Sequence, residues 1–251
     1  MISIKTTREL NLMREACRIS ANALKAAGQA IEPGISTKEI DDIVRRYIQK
    51  QGAIPSFLGY GGFPASACIS VNNVVIHGIP SKQQKLKNGD IVSIDVGAFI
   101  NGFHGDNAYT YACGDISEEA QALLDATKES LYKGIEQAAA GNRIGDIGHA
   151  VQEYAESRSY SVVRDFVGHG VGAKLHEDPS VPNYGKAGRG VRLVPGMVIA
   201  IEPMITAGDY KVKVLEDGWT TVTADGSLAA HFEHTVAITP DGPVIMTIPD
   251  I

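Results

Sequence analysis

Two aspartates, Asp95 and Asp106, stand eleven positions apart within residues 94–106 (IDVGAFINGFHGD), a stretch with the pattern of strand, turn and strand. Strands disfavour aspartate. Two carboxylates that converge on one half-buried face repel each other and lose hydration, so that either one takes up a proton or both bind a cation. The alternative is that both point to solvent or cap the hairpin, but the neighbouring Ile, Val and Phe residues favour a metal ion.

The turn between the two aspartates predicts that they meet. Asn101-Gly102 is the strongest short signal for a two-residue type I′ hairpin turn. With that turn, Gly97 faces Asp106 and Asp95 faces Ala108, and side-chain alternation puts both carboxylates on one face of the sheet. As diagonal neighbours, the two residues would have Cα atoms about 7–8 Å apart.

Three further residues could ligate the same metal. His169 lies between two glycines, Glu202 ends an apolar strand (VIAIE), and Glu233 lies inside an apolar strand with His231 and Thr235 on its face. Each alone has an ordinary explanation, a turn histidine or an edge glutamate. Together with the aspartates they make an oxygen-rich set with one nitrogen: Asp95, Asp106, His169, Glu202 and Glu233.

Four carboxylates carry too much negative charge for one divalent ion but suit two ions that share bridging carboxylates. Such two-metal centres, with ions about 3.5–4 Å apart, activate a water for hydrolysis. Oxygen ligands with one imidazole favour Mn, Fe(II), Co or Zn, and the ligand types leave the choice among these four open.

The elements that must position these residues follow a repeated order. Capping boxes at Thr6 and Ser36 predict two helices. Residues 65–112 have strand patterns, two more helices are predicted near 117–140 and 144–157, and strand patterns continue from Val162 to about Ile238.

The two halves align at one constant offset along the chain. Gly34 matches Gly141, and GDIVSID (89–95) matches GMVIAIE (196–202), which places Asp95 and Glu202 at the same point of each half. Coincidence among common residues is the alternative. We predict one α+β domain, residues 1–251, in which duplicated ααβ halves (about 6–112 and 117–238) are related by a pseudo-two-fold axis and helices cover a curved, mainly antiparallel sheet.

Composition limits the class of protein. The 251 residues are 44% hydrophobic and 21% charged, the net charge is −6, and the basic residues are scattered, so nothing indicates nucleic-acid binding. The early charges of MISIKTTREL (1–10) predict that this segment is not a signal peptide, and no apolar run approaches about 18 residues. Three cysteines without C-x-x-C spacing indicate free thiols in a reducing compartment. A soluble, cytoplasmic protein with no membrane contact is expected.

The ordered motifs NGFHGD, GHGVG, IEPM and EHT resemble methionine aminopeptidase type I, and the similarity covers essentially the whole chain. The resemblance implies the pita-bread fold and a monomer with two divalent ions per chain, held by the five residues above. It implies hydrolytic removal of the initiator methionine from peptides and nascent proteins, the latter at the ribosome, by a water or hydroxide that the two ions activate.

The resemblance also implies roles for residues around the metals. Glu202 would receive the proton of the nucleophile, His176 would contact the scissile carbonyl, and His77 (in VIHGIP) would contact the amide of the second residue. Without the resemblance, the two histidines would pass as loop and turn residues. The methionine pocket would be lined by Tyr60, Phe63, Cys68 and Trp219. Phe57, Phe63 and Leu175 stand where many relatives have Cys, Tyr and Phe.

Spacing distinguishes the chain from neighbouring classes. The segment between His169 and Glu202 is too short to hold the insertion of type II enzymes, and no N-terminal extension is expected. One alternative is an Xaa-Pro aminopeptidase or prolidase, which typically carries an additional N-terminal domain. Another is a non-catalytic pita-bread module that binds peptides, and such relatives usually lack the ligands.

Overall fold

A computed structural model describes residues 1–250; Ile251, the last residue of the predicted domain, lies outside the described residues. The helices of the described chain are α1 (Thr7–Gln29), α2 (Thr37–Lys50), α3 (Glu118–Gln137) and α4 (Ile144–Glu156). Both predicted capping boxes are confirmed, since Thr6 and Ser36 each exchange hydrogen bonds with the glutamate three residues later. The third helix ends at Gln137, earlier than predicted.

The strands form two series along the chain, one after α2 and one after α4. Within residues 1–250 they are β1 (Ile54–Pro55), β2 (Ala67–Val71), β3 (Val74–Ile76), β4 (Ile91–Ile100), β5 (Phe103–Ala112), β6 (Ser161–Val162), β7 (Gly168–Gly170), β8 (Glu177–Val181), β9 (Val198–Ile201), β10 (Met204–Thr206), β11 (Val212–Val214), β12 (Thr221–Thr223), β13 (Ala229–His231), β14 (Glu233–Thr239) and β15 (Gly242–Ile245). The predicted strand region after residue 162 is interrupted by a long irregular segment, residues 182–197.

A nine-stranded sheet forms the centre of the molecule. Its order is β1-β4-β5-β14-β9-β7-β8, with β2 added to β4 and β15 added to β14, and two three-stranded sheets (β13-β10-β6 and β11-β12-β3) complete the described strands. Every pairing in these sheets is antiparallel. The predicted α+β class with a mainly antiparallel sheet is confirmed.

The same backbone contacts recur in the two halves of the chain. Gly34 N–H donates to the Leu86 carbonyl at 2.8 Å, and at the matching place of the second half Gly141 N–H donates to the Leu193 carbonyl at 2.9 Å. Both glycines have φ near +100°, a conformation that glycine adopts without steric cost. These matched contacts support the duplicated ααβ unit, which stays a prediction.

Each helix pair packs on the strands of its own half. One apolar cluster joins α1 and α2 to β2 and β4, with Ile19, Ile40 and Ile94 fully buried. A second cluster joins α3 and α4 to β9 and β14 around Leu123 and Ile199. Helices therefore cover one face of the sheet and leave open the other face, on which Asp95 and Asp106 lie. Within residues 1–250, no helix has the length and apolarity needed to cross a membrane.

Candidate active site

The β4–β5 hairpin places the two aspartates as predicted. Gly97 pairs with Asp106 and Asp95 pairs with Ala108, which is the register expected from the Asn101-Gly102 turn. The turn residues have φ of +55° and +82°, as a type I′ turn requires. Asp95 and Asp106 therefore share one face of the sheet.

Glu233 and Glu202 reach that face from the adjoining strands. Glu233 begins β14 and pairs with Ala108 of β5, and Glu202 directly follows β9, the next strand across the sheet. Thr235 fastens β14 to β5: its Oγ1 donates to the Asp106 carbonyl at 2.7 Å and accepts the Asp106 N–H at 3.1 Å. These pairings join carboxylates from distant parts of the chain.

His169 contributes the single nitrogen of the set. It lies at the centre of β7, and its Nδ1 contacts the Gly170 carbonyl at 2.9 Å, which requires an N–H at that atom and leaves a lone pair at Nε2 in the neutral ring. Burial, and then the neighbouring His176, lower the pKa of His169 to about 4. Nε2 lies 3.5 Å from Oε1 of Glu202 and 3.8 Å from Oδ2 of Asp106.

The carboxylates strongly perturb one another. Burial raises the pKa of Asp106 to about 7. Burial, reinforced by the charges of the neighbouring carboxylates, raises the pKa of Asp95, Glu202 and Glu233 well above the usual values. Such a cluster is stable in its charged form only beside positive charge.

The residues present fit a divalent cation. Oδ1 of Asp95, Oδ1 of Asp106 and Oε1 of Glu233 are buried without a hydrogen-bond partner, which is costly for acceptor-only oxygens. Ligand atoms of Asp106, His169 and Glu233 all lie within 4.8 Å of one another. Hard carboxylate oxygens with one imidazole form a suitable donor set for a first-row divalent metal.

All the sequence-predicted residues open onto one cavity of about 350 Å³. Its floor is formed by the five predicted ligands, and its wall carries the predicted pocket residues Tyr60, Phe63, Cys68 and Trp219. Phe63 and Cys68 are almost fully buried in an apolar cluster with Phe57 and Leu175, the two other positions at which the sequence departs from many relatives.

The two predicted histidines, His77 and His176, both line this cavity. The hydroxyl of Tyr60 contacts Nδ1 of His176 at 2.8 Å, and the ring of His176 lies 4.1 Å, between centroids, from that of His169. Burial lowers the pKa of His176. His77 has φ of +58°, which is uncommon outside glycine, and its ring packs edge-on against Phe166 and Trp219.

The structure adds residues that sequence reasoning missed. Phe166 and Ile76 line the cavity, and Asn183 donates from Nδ2 to the Glu202 carbonyl at 3.1 Å. His231 is 2% exposed, with Nε2 at 3.7 Å from Oε2 of Glu202. His231 shares the strand pattern of Glu233, and the sequence carries no comparable signal for Phe166, Ile76 or Asn183.

Comparison with known proteins agrees with this geometry. The sequence profile of metallopeptidase family M24 matches residues 11–240. The chain belongs to metallopeptidase family M24. Membership implies the use of a divalent metal, for which Asp106, His169 and Glu233 are the candidate ligands.

Within family M24, the chain is similar to methionine aminopeptidases along its whole length. It is 56% identical to the methionine aminopeptidase of Clostridium acetobutylicum over 248 residues, 99% of each chain. It is 57% identical to methionine aminopeptidase 1 of Bacillus subtilis over 247 residues, 98% of this chain and 99% of that protein. A crystal structure of methionine aminopeptidase from Thermotoga maritima superposes with a TM-score of 0.97 at 48% identity, covering 98% of this chain and 99% of that one.

A more distant solved structure bears on the alternative. Prolidase from Pyrococcus furiosus superposes with a TM-score of 0.79 at 25% identity and covers 99% of this chain but only 66% of the prolidase. The pita-bread fold, the resemblance to methionine aminopeptidases and the metallo-aminopeptidase class are thus confirmed, and an Xaa-Pro peptidase is not favoured.

Proposed function

We propose that this protein removes the N-terminal methionine from peptides and nascent proteins by hydrolysis. The observation that carries the proposal is that one cavity holds both a cluster of buried carboxylates with His169 and a sulfur- and aromatic-lined wall. The names of its full-length relatives agree with this assignment.

We propose that two divalent ions occupy the floor of the cavity, held by Asp95, Asp106, His169, Glu202 and Glu233. Four carboxylates carry four negative charges, which two divalent ions neutralise. The donor set is compatible with Mn, Fe(II), Co or Zn. Bound there, the ions supply a Lewis acid for the scissile carbonyl and lower the pKa of a water that acts as nucleophile.

Glu202 is suited to proton transfer. Its Oε1 lies 3.5 Å from Nε2 of His169, so the carboxylate is placed to accept a proton beside the candidate metal site. Glu202 lines the same cavity as Asp106, His169 and Glu233, the three residues whose ligand atoms cluster. We assign it the role of receiving the proton of the attacking water.

His176 is suited to stabilise the oxyanion. When the hydroxyl of Tyr60 donates to Nδ1, the neutral imidazole carries its proton on Nε2 and presents an N–H donor. A donor held in place before the reaction stabilises charge that develops on the carbonyl oxygen. We assign His77, which also lines the cavity, to the amide of the second residue of the substrate.

The apolar wall is suited to the methionine side chain. Phe63, Cys68 and Trp219 surround its inner end, and the rings of Phe63 and Trp219 pack edge-to-face with centroids 5.2 Å apart. Aromatic edges and sulfur attract a polarizable thioether. The free amino group of the substrate would then lie toward the carboxylates, which explains action on chain ends.

The cellular setting that we propose is the cytoplasm, where the protein acts as a monomer on nascent chains at the ribosome. The three cysteines, all buried, suit a reducing compartment. The net charge of −6 argues against direct binding to nucleic acid.

The assignment is tested by Glu202→Gln, with the exposed Glu216→Gln as the matched control. Turnover of Met-Ala-Ser by the manganese- or cobalt-loaded protein should fall by at least about 1,000-fold, on the order of what loss of a central catalytic group costs, in the first variant only. Both variants should keep the wild-type circular dichroism. Near wild-type turnover by Glu202→Gln would refute the role.

A second assay separates the alternatives. The wild-type protein should hydrolyse Met-Ala-Ser and not Ala-Pro peptides, and metal analysis should find two ions per chain. Preference for Ala-Pro would favour an Xaa-Pro peptidase, while a metal-free and inert protein would favour a peptide-binding module.

A further inference from the structure

Two residues outside the predicted ligand set, His231 and Asn183, contact Glu202 and each carry a buried polar atom without a hydrogen-bond partner. Among the described residues, five buried side-chain atoms have no hydrogen-bond partner, and three of them are carboxylate oxygens of the candidate metal centre. The other two are Nε2 of His231 and Oδ1 of Asn183. Because buried polar groups rarely lack a partner, each of these needs an explanation.

The backbone holds the His231 ring in a fixed place. His231 ends β13 and pairs with Met204 of β10, only two residues after Glu202. On its other side, Thr110 accepts the His231 N–H at 2.9 Å and donates to the His231 carbonyl at 2.8 Å. The ring is only 2% exposed, and Oε2 of Glu202, 3.7 Å from its Nε2, is an acceptor inside the protein.

The two oxygens of Glu202 face two different imidazoles. Oε1 lies 3.5 Å from Nε2 of His169, and Oε2 lies 3.7 Å from Nε2 of His231. Nε2 of His169 carries a lone pair, because Nδ1 of that ring engages the Gly170 carbonyl. Oε1 therefore faces the candidate metal site, where a bound cation would relieve its repulsion with that lone pair. Oε2 faces His231.

We propose that His231 is a positioning residue for Glu202, which donates its Nε2–H to Oε2 and so keeps Oε1 directed at the metal centre. The present separation exceeds the ~3.2 Å upper limit of ordinary N–H···O bonds by about half an ångström, a gap that rotation of the glutamate side chain closes. Neutral imidazole and imidazolium can both donate from Nε2, so the proposal requires no change of protonation.

Asn183 already holds the backbone of Glu202, so only the side chain of Glu202 needs a further hydrogen bond to fix its orientation. Its Nδ2 donates to the backbone carbonyl of Glu202 at 3.1 Å, and Pro203 follows directly, so the main chain is already fixed. Only side-chain torsions remain free to turn the carboxylate. Hydrogen bonds that orient a metal-binding side chain typically change metal affinity or activity by about 10- to 100-fold when removed.

The test compares two substitutions of the same residue. His231→Gln keeps a side-chain N–H donor, whereas His231→Leu removes it, and His149→Leu replaces an exposed histidine of α4 as the control. Titration calorimetry of Mn²⁺ into metal-free protein should show affinity at least about 10-fold weaker for His231→Leu, with values within about threefold of wild type for the other two variants. The visible spectrum of bound Co²⁺ should change only in His231→Leu.

Two results would overturn the proposal. If His231→Leu binds Mn²⁺ as tightly as wild type and has the same Co²⁺ spectrum, His231 does not position Glu202. If His231→Gln weakens Mn²⁺ binding as much as His231→Leu does, the imidazole itself ligates the metal, and the proposed donation to Glu202 is wrong.

A measurement on the unsubstituted chain keeps the proposal testable where His231→Leu does not fold. With ¹⁵N-labelled histidine, the ring signals absent from His231→Gln assign His231, and its proton should be found on Nε2; a neutral ring protonated on Nδ1 alone would contradict donation. The proposal rests on the proposed role of Glu202, but this readout does not depend on turnover. A wild-type protein without peptidase activity would refute the function, while the tautomer would still decide the hydrogen bond.

Discussion

Asp95 and Glu233 lie opposite the same residue: Ala108 of β5 pairs with Asp95 on one side and with Glu233 on the other. Three neighbouring strands thereby bring two carboxylates from distant parts of the sequence into one row on one face of the sheet. Asp106, two residues before Ala108, points to the same face. The fold itself creates the repulsion that a cation relieves, so metal binding and stability must be linked.

The first prediction concerns this linkage in metal-free protein. Burial raises the pKa of Asp106 from 3.8 to about 7, so the folded state holds a proton that the unfolded state releases. The contribution of the Asp106 carboxyl group to the free energy of unfolding is fully present below about pH 4 and is lost as the pH rises through 7. Relative to wild type, Asp106→Asn should gain on the order of a few kcal/mol in unfolding free energy between pH 4 and 8.

Chemical denaturation in the presence of a chelator measures this difference. The buried histidines have lowered pKa values, so they favour the folded state as the pH rises from about 4, opposite to Asp106. Taking the difference in unfolding free energy between wild type and Asp106→Asn at each pH cancels this contribution. Saturating Mn²⁺ should reverse the order, because the wild type binds the ion more tightly. A difference independent of pH would contradict the prediction.

The second prediction concerns the turn that sets the hairpin register. Gly102 has φ of +82° and no atom near the position that a Cβ would occupy, so Gly102→Ala tests backbone conformation alone. We expect it to lower the unfolding free energy by about 1–2 kcal/mol. Asn101→Gly, which suits φ of +55° equally well, should change the same urea-unfolding free energy by less than about 0.5 kcal/mol. Equal effects of the two substitutions would argue against turn strain.

This hairpin is the part of the site that local pattern predicts completely. A two-residue turn allows only one pairing register of the two strands, and side chains alternate between the faces of a sheet. The sequence alone therefore places Asp95 and Asp106 on one face. The contacts of β5 with β14, and of β9 with β7, join segments that are far apart along the chain. No local pattern specifies such pairs. Glu202 and Glu233 were assigned to the site from the motifs IEPM and EHT.

His231 shows where the strand pattern misleads. Alternation suggests that His231, Glu233 and Thr235 share one face of one strand. In the structure the strand is interrupted at Phe232: His231 pairs with β10 of a small sheet, whereas Glu233 pairs with β5 of the large one. Because the chain changes sheets there, His231 lies behind Glu202 rather than beside Glu233.

The third prediction separates two roles of Tyr60. Its hydroxyl contacts Nδ1 of His176 at 2.8 Å, although the residue, which lines the cavity, is 45% exposed. Tyr60→Phe should lower kcat for Met-Ala-Ser about fivefold, as expected for the loss of a hydrogen bond of about 1 kcal/mol, and leave KM nearly unchanged.

Tyr47→Phe is the matched control, since Tyr47 packs on the apolar cluster under α1 and α2, away from the cavity. It should leave both constants unchanged. A raised KM with unchanged kcat in Tyr60→Phe would mean that Tyr60 contacts the substrate and does not orient His176.

The last prediction concerns a buried ion pair next to His176. Nζ of Lys5 lies 2.7 Å from Oε2 of Glu177, and the two side chains are 3% and 11% exposed. The other oxygen, Oε1 of Glu177, accepts the Lys174 N–H at 3.1 Å and so fixes the turn before His176. Lys5→Met leaves the carboxylate buried without its partner, which typically costs about 3–5 kcal/mol.

We therefore expect Lys5→Met to lower both the thermal midpoint and kcat, and the double variant Lys5→Met/Glu177→Gln to regain part of the stability because no unpaired charge remains. Burial acts to raise the pKa of Glu177, but hydrogen bonds from Lys5 and the Lys174 N–H lower it overall. The wild type should thus hold this stability above about pH 4.3 and lose it as the pH falls further, whereas the double variant should not. Thermal unfolding from pH 3 to 7 measures both effects, and a double variant as unstable as Lys5→Met would show that the pair acts through packing instead of charge.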